Sequence, residues 1–539
     1  MKKLILVLSA VLLLASLVLG GCGEPETTPT TAPTTAPTTA PTTAPATAPT
    51  TAPTTVPTTA PATPTVEPQY GGTFIEVTST GVAHFYTPTQ PGSMASFVHP
   101  ALESLIWHNF NGTYAPWLAE SWEEDPDGKY LVFYLRQGVE FHDGTVFNAQ
   151  AVKDFLELKI GEMPGFMAAV ESIDVVDEYT VRLNTTLIDI NLYQQVQEYL
   201  ASPTHLAKGK DAVQFHPVGT GPFKFVEFKR DIHLLYERYD DYWGGRPYLD
   251  EYKFVFVPDT ASQLASLLAG ESHILRSIEH KDAEMLANRG FTLKGMHVVH
   301  TGFAPDSINP DSPYADPKVR EAIEYAIDRK GIAEAMGYGY MYPMYQITPS
   351  NVRAYIPDLG REHDPEKARQ LLAETDYPEG FETTIITSPF AFSDLVVAMQ
   401  SDLAEVGIIA HIDQADMGRY TSLRNNGWSN GLLYVHGLYA DPLEWYLYRT
   451  WGQERKDYVS TYRSDEFYDL IDNKLINETD YEKRKPLMEQ LVKMTYEQSV
   501  YMPFISFEQV AAISPKVHDI DLFDEHVIRW HVHKTWLSE

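Results

Sequence analysis

The chain is poor in cysteine and in basic residues. Cys22 is the only cysteine among 539 residues, so neither a disulfide framework nor a thiolate metal cluster can form within one chain. The 41 Lys and Arg residues face 73 Asp and Glu residues, which gives a formal net charge of −32. Such a surface repels nucleic acid, whose recognition needs a basic face. We therefore expect no nucleic-acid partner and a body stabilised by apolar burial.

The chain also lacks the short motifs of common catalytic and nucleotide sites. It contains no Gly-x-Ser-x-Gly elbow, no phosphate loop ending in Gly-Lys-Ser/Thr and no His-Glu-x-x-His motif. Residues 219–221 and 337–339 read Gly-Thr-Gly and Gly-Tyr-Gly, without the third glycine of a dinucleotide fingerprint, so we interpret both as turns. The closest histidines, His531 and His533, alternate as strand residues do. The sequence therefore predicts no catalytic residue, no metal site and no cofactor.

The amino terminus has the features of an export signal. Two lysines precede an apolar run over residues 4–19, and Gly20, Gly21 and Cys22 follow. The run is shorter than the ~20 residues that span a bilayer. This order resembles a bacterial lipobox, which implies cleavage after residue 21 and a lipid on Cys22. The alternatives are an ordinary signal peptide or a short membrane anchor. We predict an extracytoplasmic protein that is lipid-anchored to the cell membrane.

A linker follows the predicted lipid anchor. Residues 27–65 repeat Thr-Thr-Ala-Pro with small variations, and Val56 is their only large apolar side chain. Nothing in this composition offsets the entropy cost of folding, and the frequent prolines favour an extended polyproline II chain. We assign residues 1–21 to the signal peptide and residues 22–68 to the lipidated cysteine and linker.

The body after residue 69 reads as mixed α and β. Alternating apolar runs flank short polar turns at residues 127–128, 177–178 and 229–231, which predicts three hairpins. Helix starts are predicted at Asp316-Pro317 and Asp364-Pro365, where an N-cap aspartate precedes a proline at the first helical position. An apolar stripe over residues 395–406 predicts a further helix that ends at Gly407. Strands interleaved with helices over this length predict an α/β or α+β protein of several lobes.

Ordered segments of the body resemble one known family. Residues 118–155 read LAESWEEDPDGKYLVFYLRQGVEFHDGTVFNAQAVKDF, residues 217–228 read PVGTGPFKFVEF, and residues 316–332 read DPKVREAIEYAIDRKGI. These blocks are similar to those of extracytoplasmic solute-binding proteins of family 5, the oligopeptide-, dipeptide- and nickel-binding components of ABC importers. The resemblance runs from about residue 69 to the carboxyl terminus.

The same blocks also have a structural interpretation. Trp122, Phe133 and Phe141 have the character of core residues. Arg320 and the pair Asp328-Arg329 are expected to form ion pairs on a helix surface. These motifs identify a fold and do not carry a ligand, so fold and site are argued separately.

The resemblance implies an α/β, two-lobed periplasmic-binding-protein-like fold with an inserted domain in the first lobe. Transferred by motif position, the first lobe covers residues 69–112, 215–298 and 500–539, the inserted subdomain 113–214, and the second lobe 299–499. Two hinge strands are expected near residues 300–304 and 501–504. A solute would lie between the lobes, and hinge closure would bury it.

The segment expected to bind the ligand departs from the peptide-binding pattern. Peptide-binding members carry a segment resembling Asp-Tyr-x-x-Pro, whose aspartate pairs with the α-amine of the peptide. Anchoring the alignment on Tyr439 and Pro442 places Leu438 at the aspartate position. Leucine cannot compensate a buried ammonium. Asp441 would restore the carboxylate by a shift of register; the alternative is a structural acid before proline.

Candidate ligand-binding residues follow from the expected hinge and from this segment. Core packing is the alternative interpretation for each of them singly, but as a group they predict an aromatic, weakly polar cleft. They are Trp107, His108, Asn109, His300, Phe303, Tyr434, His436, Leu438, Tyr439, Asp441 and Trp445.

These features predict a monomeric, lipid-anchored solute receptor of an ABC importer, with permease subunits and ATPases as its partners. It is expected to bind peptides or a similar small solute and to have no enzymatic activity. A saccharide, an opine or a metal chelate is the alternative ligand because of Leu438. A surface hydrolase and a sensor or adhesin without transport are alternatives of another class. A hydrolase would need paired carboxylates in the cleft, and the sequence identifies no such pair.

Overall fold

The computed structural model describes residues 67–539 except 80, 83, 90–94, 109–113, 164–165, 187, 189, 349–353, 439–449, 454–456, 479 and 521–529. All of the described residues belong to one compact unit of the chain. The predicted signal peptide, Cys22 and the linker up to residue 66 lie outside the described residues, so their assignment stays a prediction.

The body contains strands throughout its length. In chain order they are β1 Thr73–Thr78, β2 Ile106–His108, β3 Tyr114–Pro116, β4 Ala119–Glu124, β5 Tyr130–Leu135, β6 Val170–Asp177, β7 Thr180–Thr185, β8 Phe223–Lys229, β9 His233–Arg238, β10 Glu251–Phe256, β11 Ile274–Leu275, β12 Thr292–Pro305, β13 Met341–Pro343, β14 Phe381–Thr387, β15 Ile408–Gln414, β16 Gly431–Leu438, β17 Met502–Ile513, β18 Val517–His518 and β19 Trp536–Leu537.

Helices alternate with these strands. The α-helices are α1 Ala95–Val98, α2 Ala149–Glu162, α3 Ile190–Gln195, α4 Pro203–Leu206, α5 Lys210–Val213, α6 Thr260–Ala269, α7 Ala283–Asn288, α8 Pro317–Ala326, α9 Arg329–Met336, α10 Pro365–Ala373, α11 Ser393–Glu405, α12 Met417–Asn426, α13 Asp465–Tyr468 and α14 Tyr481–Glu497. A π-helical segment, Asp469–Leu475, continues α13.

One mixed sheet of 11 strands runs through the body in the order β15-β14-β16-β12-β17-β11-β1-β10-β9-β8, and β13 also pairs with β17. Strands β12 and β17 lie at its centre and are the two longest, with 14 and 12 residues. The two strands pair with each other along their length. The carboxyl-terminal part of β12 also pairs with β16, the amino-terminal part of β17 also pairs with β13, and the carboxyl end of β17 also pairs with β11. These two strands therefore connect the lobes, as the fold class predicts.

A separate four-stranded antiparallel sheet, β4-β5-β7-β6, lies within the segment that the sequence assigns to the inserted subdomain. Leu131, Phe133, Val181 and Leu183 alternate along β5 and β7 and are fully buried. These apolar side chains cover one face of the sheet, and the other face is mainly polar. The exact domain boundaries stay a prediction.

The second lobe has helices on both faces of its sheet. Leu432 and Tyr434 pack in one core with side chains of α8, α10 and α11, whereas Leu433 and Val435 pack in another with α12, α14 and the π-helical segment. Successive residues of a strand point to opposite faces, so β16 contributes to both cores. A three-layer arrangement of helices, sheet and helices results.

The locally encoded elements agree with the sequence predictions. The three hairpins pair as β4–β5, β6–β7 and β8–β9. Asp316 and Asp364 cap α8 and α10, accepting hydrogen bonds from Lys318 N at 2.8 Å and Lys367 N at 2.9 Å. Gly407 adopts φ +89° one residue after the cap of α11, a backbone conformation that favours glycine.

The expectation that Arg320 and Arg329 lie on a helix surface is wrong, although Arg329 does form an ion pair, with the buried Glu324 at 3.8 Å. Both side chains are buried, with 5% and 1% exposure. Arg320 donates to the carbonyls of Tyr314 and Gln498, at 2.6 and 2.9 Å. Arg329 donates to the carbonyls of Glu324, at 2.6 Å, and of Pro503 in β17, at 3.2 Å. The planar guanidinium satisfies several loop carbonyls at once, which a surface pairing would not require.

Candidate functional site

The central strands bring the predicted candidate residues of the second lobe together. Leu438 pairs with Val299, and Val299 pairs with Phe507 on its other side. Two positions away along β16, His436 pairs with Thr301. The Leu438 backbone thus lies in the row of residues that crosses both connecting strands, at the carboxyl end of β16.

His436 lies beside an aromatic loop that follows β14. The rings of Phe390 and Phe392 each have their centroids 6.3 Å from that of His436. Phe392 also contacts Phe507 of β17 edge to face, with centroids 4.6 Å apart. Burial lowers the pKa of His436, so its imidazole is neutral at pH 7. This group of rings forms an uncharged aromatic surface next to the connecting strands.

His300 is directed into the interior. Its side chain is completely buried, and Nδ1 lies 2.7 Å from the hydroxyl of Tyr501. Desolvation and, to a smaller extent, the neighbouring His436 together lower the pKa of His300 to about 3. A neutral imidazole with a phenol partner ties β12 to the residue that precedes β17.

Phe303 and Tyr434 pack inside the second lobe. Their exposures are 0% and 1%, and both belong to the core that α8, α10 and α11 cover. Their rings are 6.4 Å apart at 66°. They support the strands that carry His436 and Thr301, and a direct role in ligand contact stays a prediction.

Trp107 belongs to a different aromatic cluster, in the first lobe. Its ring stacks on that of His531 at 16° with centroids 4.9 Å apart, and the ring of Trp117 lies 4.7 Å away. His531 and His533 are 6.1 Å apart and nearly perpendicular. The backbone of His108 continues β2 after Trp107. His531, in the carboxyl-terminal segment, thus covers Trp107 with its imidazole ring.

Four candidates of the sequence analysis, Asn109, Tyr439, Asp441 and Trp445, lie outside the described residues, and the side chain of Leu438 lies outside them too. The proposed role of Asp441 as a replacement carboxylate therefore stays a prediction. In the described part of the body, no three His, Cys, Asp or Glu side chains gather closely enough to hold a metal ion.

A buried carboxylate, Glu103, contacts the Trp107 cluster through Trp117, and the sequence analysis did not identify it. Glu103 Oε1 accepts hydrogen bonds from Trp117 Nε1 and the Tyr242 hydroxyl, at 2.9 and 2.7 Å. Oε2 accepts from Thr220 Oγ1 and Trp243 Nε1, at 2.7 and 2.8 Å. Complete burial raises the pKa of Glu103 to about 7, against the effect of these four donors. The signal available in the sequence was a glutamate inside the apolar run of residues 101–107.

The Gly-Thr-Gly turn completes this arrangement. A Cβ on Gly219 would lie 2.3 Å from the Ala101 carbonyl oxygen, and one on Gly221 would lie 2.7 Å from the carbonyl carbon of the same residue. Only glycine permits this backbone approach, which places the Thr220 hydroxyl on Glu103. The motif is therefore a packing device for the first lobe, in agreement with its interpretation as a turn.

The two lobes also meet through aromatic rings beside the connecting strands. The ring centroid of Tyr340, in the predicted second lobe, is 5.4 Å from that of His280, in the predicted first lobe, and the ring centroid of Phe507 is 6.1 Å from that of the same imidazole. His280 Nε2 is 2.8 Å from the Glu508 carbonyl oxygen, and Glu508 N donates to the Tyr340 carbonyl at 3.0 Å. Tyr340 follows the Gly-Tyr-Gly turn, which closes through a Tyr340 N to Gly337 O hydrogen bond of 2.8 Å.

Two α/β lobes joined by paired central strands define the class of two-lobed solute-binding proteins. Residues 113–457 match the family of bacterial extracellular solute-binding proteins, family 5. This match covers more than half of the chain, and the protein belongs to that family.

Individual relatives differ in what they bind. The chain is 29% identical over 449 residues, 75% of its own length and 80% of the relative's, to heme-binding protein A of Haemophilus influenzae. It is 32% identical over 318 residues to the glutathione-binding protein GsiB of Salmonella typhi, over 56% of this chain and 61% of that protein. The fold matches the periplasmic binding protein DppA of Helicobacter pylori in complex with the peptide STSA, with a TM-score of 0.74, 22% identity and coverage of 87% and 99%.

No described helix of residues 67–539 combines the length and the apolar character that crossing a bilayer requires.

Proposed function

We propose that the protein is a lipid-anchored, extracytoplasmic solute receptor of an ABC importer that binds a peptide or a similar small solute between its two lobes. The observation that carries the proposal is the pairing of β12 with β17 through the centre of the sheet. At one end of this pair β17 also pairs with β11, and towards the other end β12 pairs with β16 and β17 pairs with β13. Such a connection lets the lobes rotate together around a solute with few changes of backbone conformation.

Transport follows from a change of shape upon binding. A solute that contacts both lobes favours the closed arrangement by its differential affinity, and permease subunits with ATPases would recognise that arrangement. We propose the boundaries given above for the lobes, the surface around His436 and Leu438 as the solute site, and Cys22 as the lipidated residue that anchors a monomer to the membrane.

A non-peptide ligand is the second candidate. Its support is Leu438, which stands where the resemblance to peptide-binding members implies the amine-binding aspartate, and the relative whose name includes heme. A leucine gives a ligand ammonium no compensating charge at this position.

The test is native mass spectrometry of the full-length protein, extracted from membranes in a mild detergent, followed by denaturation. The proposal expects a small solute that is released only on denaturation. A series of peptide masses supports the first candidate, and one non-peptide mass supports the second. Absence of a bound solute, together with no binding to a panel of peptides and chelates, contradicts the proposal. Release of a Cys22→Ser variant into the medium tests the anchor.

A further inference from the structure

The loop that follows β14 exposes two aromatic rings at the edge where solutes bind in this kind of sheet. β14 and β16 are parallel neighbours, in which Ile385 pairs with Leu432. Ligands of open α/β sheets lie outside the carboxyl ends of parallel strands. Phe390 follows the carboxyl end of β14, and His436 lies near the carboxyl end of β16.

These rings are exposed to different degrees and are held in place. Phe390 is 62% exposed and Phe392 is 39% exposed, although both lie beside a half-buried imidazole. The ring of Phe392 is held by its edge-to-face contact with Phe507, which is only 6% exposed and belongs to the connecting strand β17. Phe390 N donates to Ser388 Oγ at 3.2 Å, which turns the loop. A ring that the protein already holds in position costs less entropy to bind against.

The geometry of the three rings matches aromatic recognition. Phe392 meets both His436, at 74°, and Phe507, at 85°, edge to face. Phe390 is tilted 38° to His436. Aromatic rings favour offset or edge-to-face contacts at centroid distances of about 4.5–7 Å. The exposed face of Phe390 is free to accept a further ring, and an imidazole nitrogen offers a donor or an acceptor beside it.

We propose that Phe390, Phe392 and His436 form a subsite for a flat, conjugated ring of the solute, and that this subsite selects ring-containing solutes over aliphatic ones. This inference rests on the proposed function and adds a chemical class to it. A peptide's aromatic side chain and a larger conjugated macrocycle share the chemistry that the subsite recognises.

The experiment measures binding to full-length protein by isothermal titration calorimetry with three probes. They are the tripeptides Ala-Phe-Ala and Ala-Leu-Ala, and hemin. The solute released from the purified protein is examined for aromatic absorption in the same preparation. We expect a preference for ring-bearing over aliphatic solute of about tenfold, the size of an aromatic pair contribution. Preference for Ala-Phe-Ala identifies a side-chain ring as the occupant, and preference for hemin identifies a macrocycle.

The variant Phe390→Leu/Phe392→Leu keeps apolar volume at the subsite and removes the rings. We expect it to stay folded and to lose the preference for ring-bearing solute, with only a small drop in melting temperature from the lost Phe392–Phe507 ring contact. Tyr70→Leu is the matched control, because Tyr70 is 58% exposed and lies in the first lobe against Tyr248. Its preference should equal that of the wild type.

Two outcomes overturn the inference while leaving the proposed function intact. One is an aliphatic released solute in the wild type, and the other is an unchanged preference in the double leucine variant. Failure of the proposed function looks different, since the wild type would then release no solute and bind none of the probes.

Discussion

The Thr220 hydroxyl donates a 2.7 Å hydrogen bond to Glu103 Oε2 and thereby joins two residues that are 117 positions apart in the chain. Together with two indoles and a phenol, this bond surrounds a buried carboxylate with donors. Four neutral donors therefore offset part of the cost of burying the Glu103 carboxylate.

We predict that Glu103→Gln destabilises the protein by about 1–3 kcal/mol. Each carboxylate oxygen accepts from one tryptophan Nε1, so either orientation of the amide directs an NH₂ group at an indole, which can only donate. Urea unfolding measures the change in free energy. Glu237→Gln, on the exposed side of β9, is the control and should have almost no effect.

The pKa of Glu103 predicts a stability that depends on pH. Burial raises this pKa to about 7 from an ordinary 4.5, so the folded state binds the proton more tightly than the unfolded state does. The contribution of Glu103 is fully present below about pH 4.5 and is lost as the pH rises to about 7. We expect the free energy of unfolding to fall over this interval relative to Glu103→Gln. A constant difference between the two proteins would contradict the prediction.

His300 predicts the opposite slope. Its pKa is lowered to about 3 by burial, whereas the unfolded imidazole titrates near 6.5. The unfolded state therefore binds more protons between these values, and stability is lost as the pH falls from about 6.5 towards 3. The variant His300→Gln should lose less stability over this interval, as measured by urea unfolding at several pH values. Tyr501→Phe removes the hydrogen bond at Nδ1 without removing the titrating group, so it should keep the slope.

Arg329→Lys tests the anchoring of β17. The guanidinium reaches the Pro503 carbonyl in β17 and the Glu324 carbonyl at the end of α8 simultaneously. An ammonium has no such fork, so at least one buried carbonyl loses its donor, at a cost of about 1–3 kcal/mol. Differential scanning calorimetry should detect a lower melting temperature. Arg369→Lys, on a side chain with 43% exposure, should leave it unchanged.

Tyr340 and His280 form an aromatic contact between the predicted lobes that does not depend on a bound ligand. Removing the ring with Tyr340→Ala takes away an aromatic pair of about 0.5–1.5 kcal/mol. We expect the unliganded protein to open more often, so its radius of gyration in small-angle X-ray scattering should increase. The comparison variant is Tyr462→Ala, whose ring is 47% exposed, and an equal increase there would contradict the prediction.

Local signals in the sequence predicted the elements that local chemistry determines. Asp316 and Asp364 identified helix starts because a cap depends on neighbours within one turn. Arg329 was misread because its partners Met344 and Pro503 are separated from it by 15 and 174 positions, and no local pattern reports burial of a guanidinium. His436 was selected because residues 434, 436 and 438 alternate beside the expected cleft, and its role in ligand binding stays a prediction. Phe390 was missed, although Pro-Phe-Ala-Phe directly follows a strand.

The pairing of β12 with β17 also determines how late in export the protein can complete its fold. His300 pairs with Ser506, so the middle of the sheet contains two strands that are synthesised and exported far apart in time. Until the last part of the chain has crossed the membrane, β12 presents an open edge where β17 will lie. An exported chain with this connectivity cannot complete its central sheet until nearly all of it has emerged. Until then it can pass unfolded through a narrow channel. The late arrival of β17 thus makes its pairing with β12 the step that commits the receptor to its folded form.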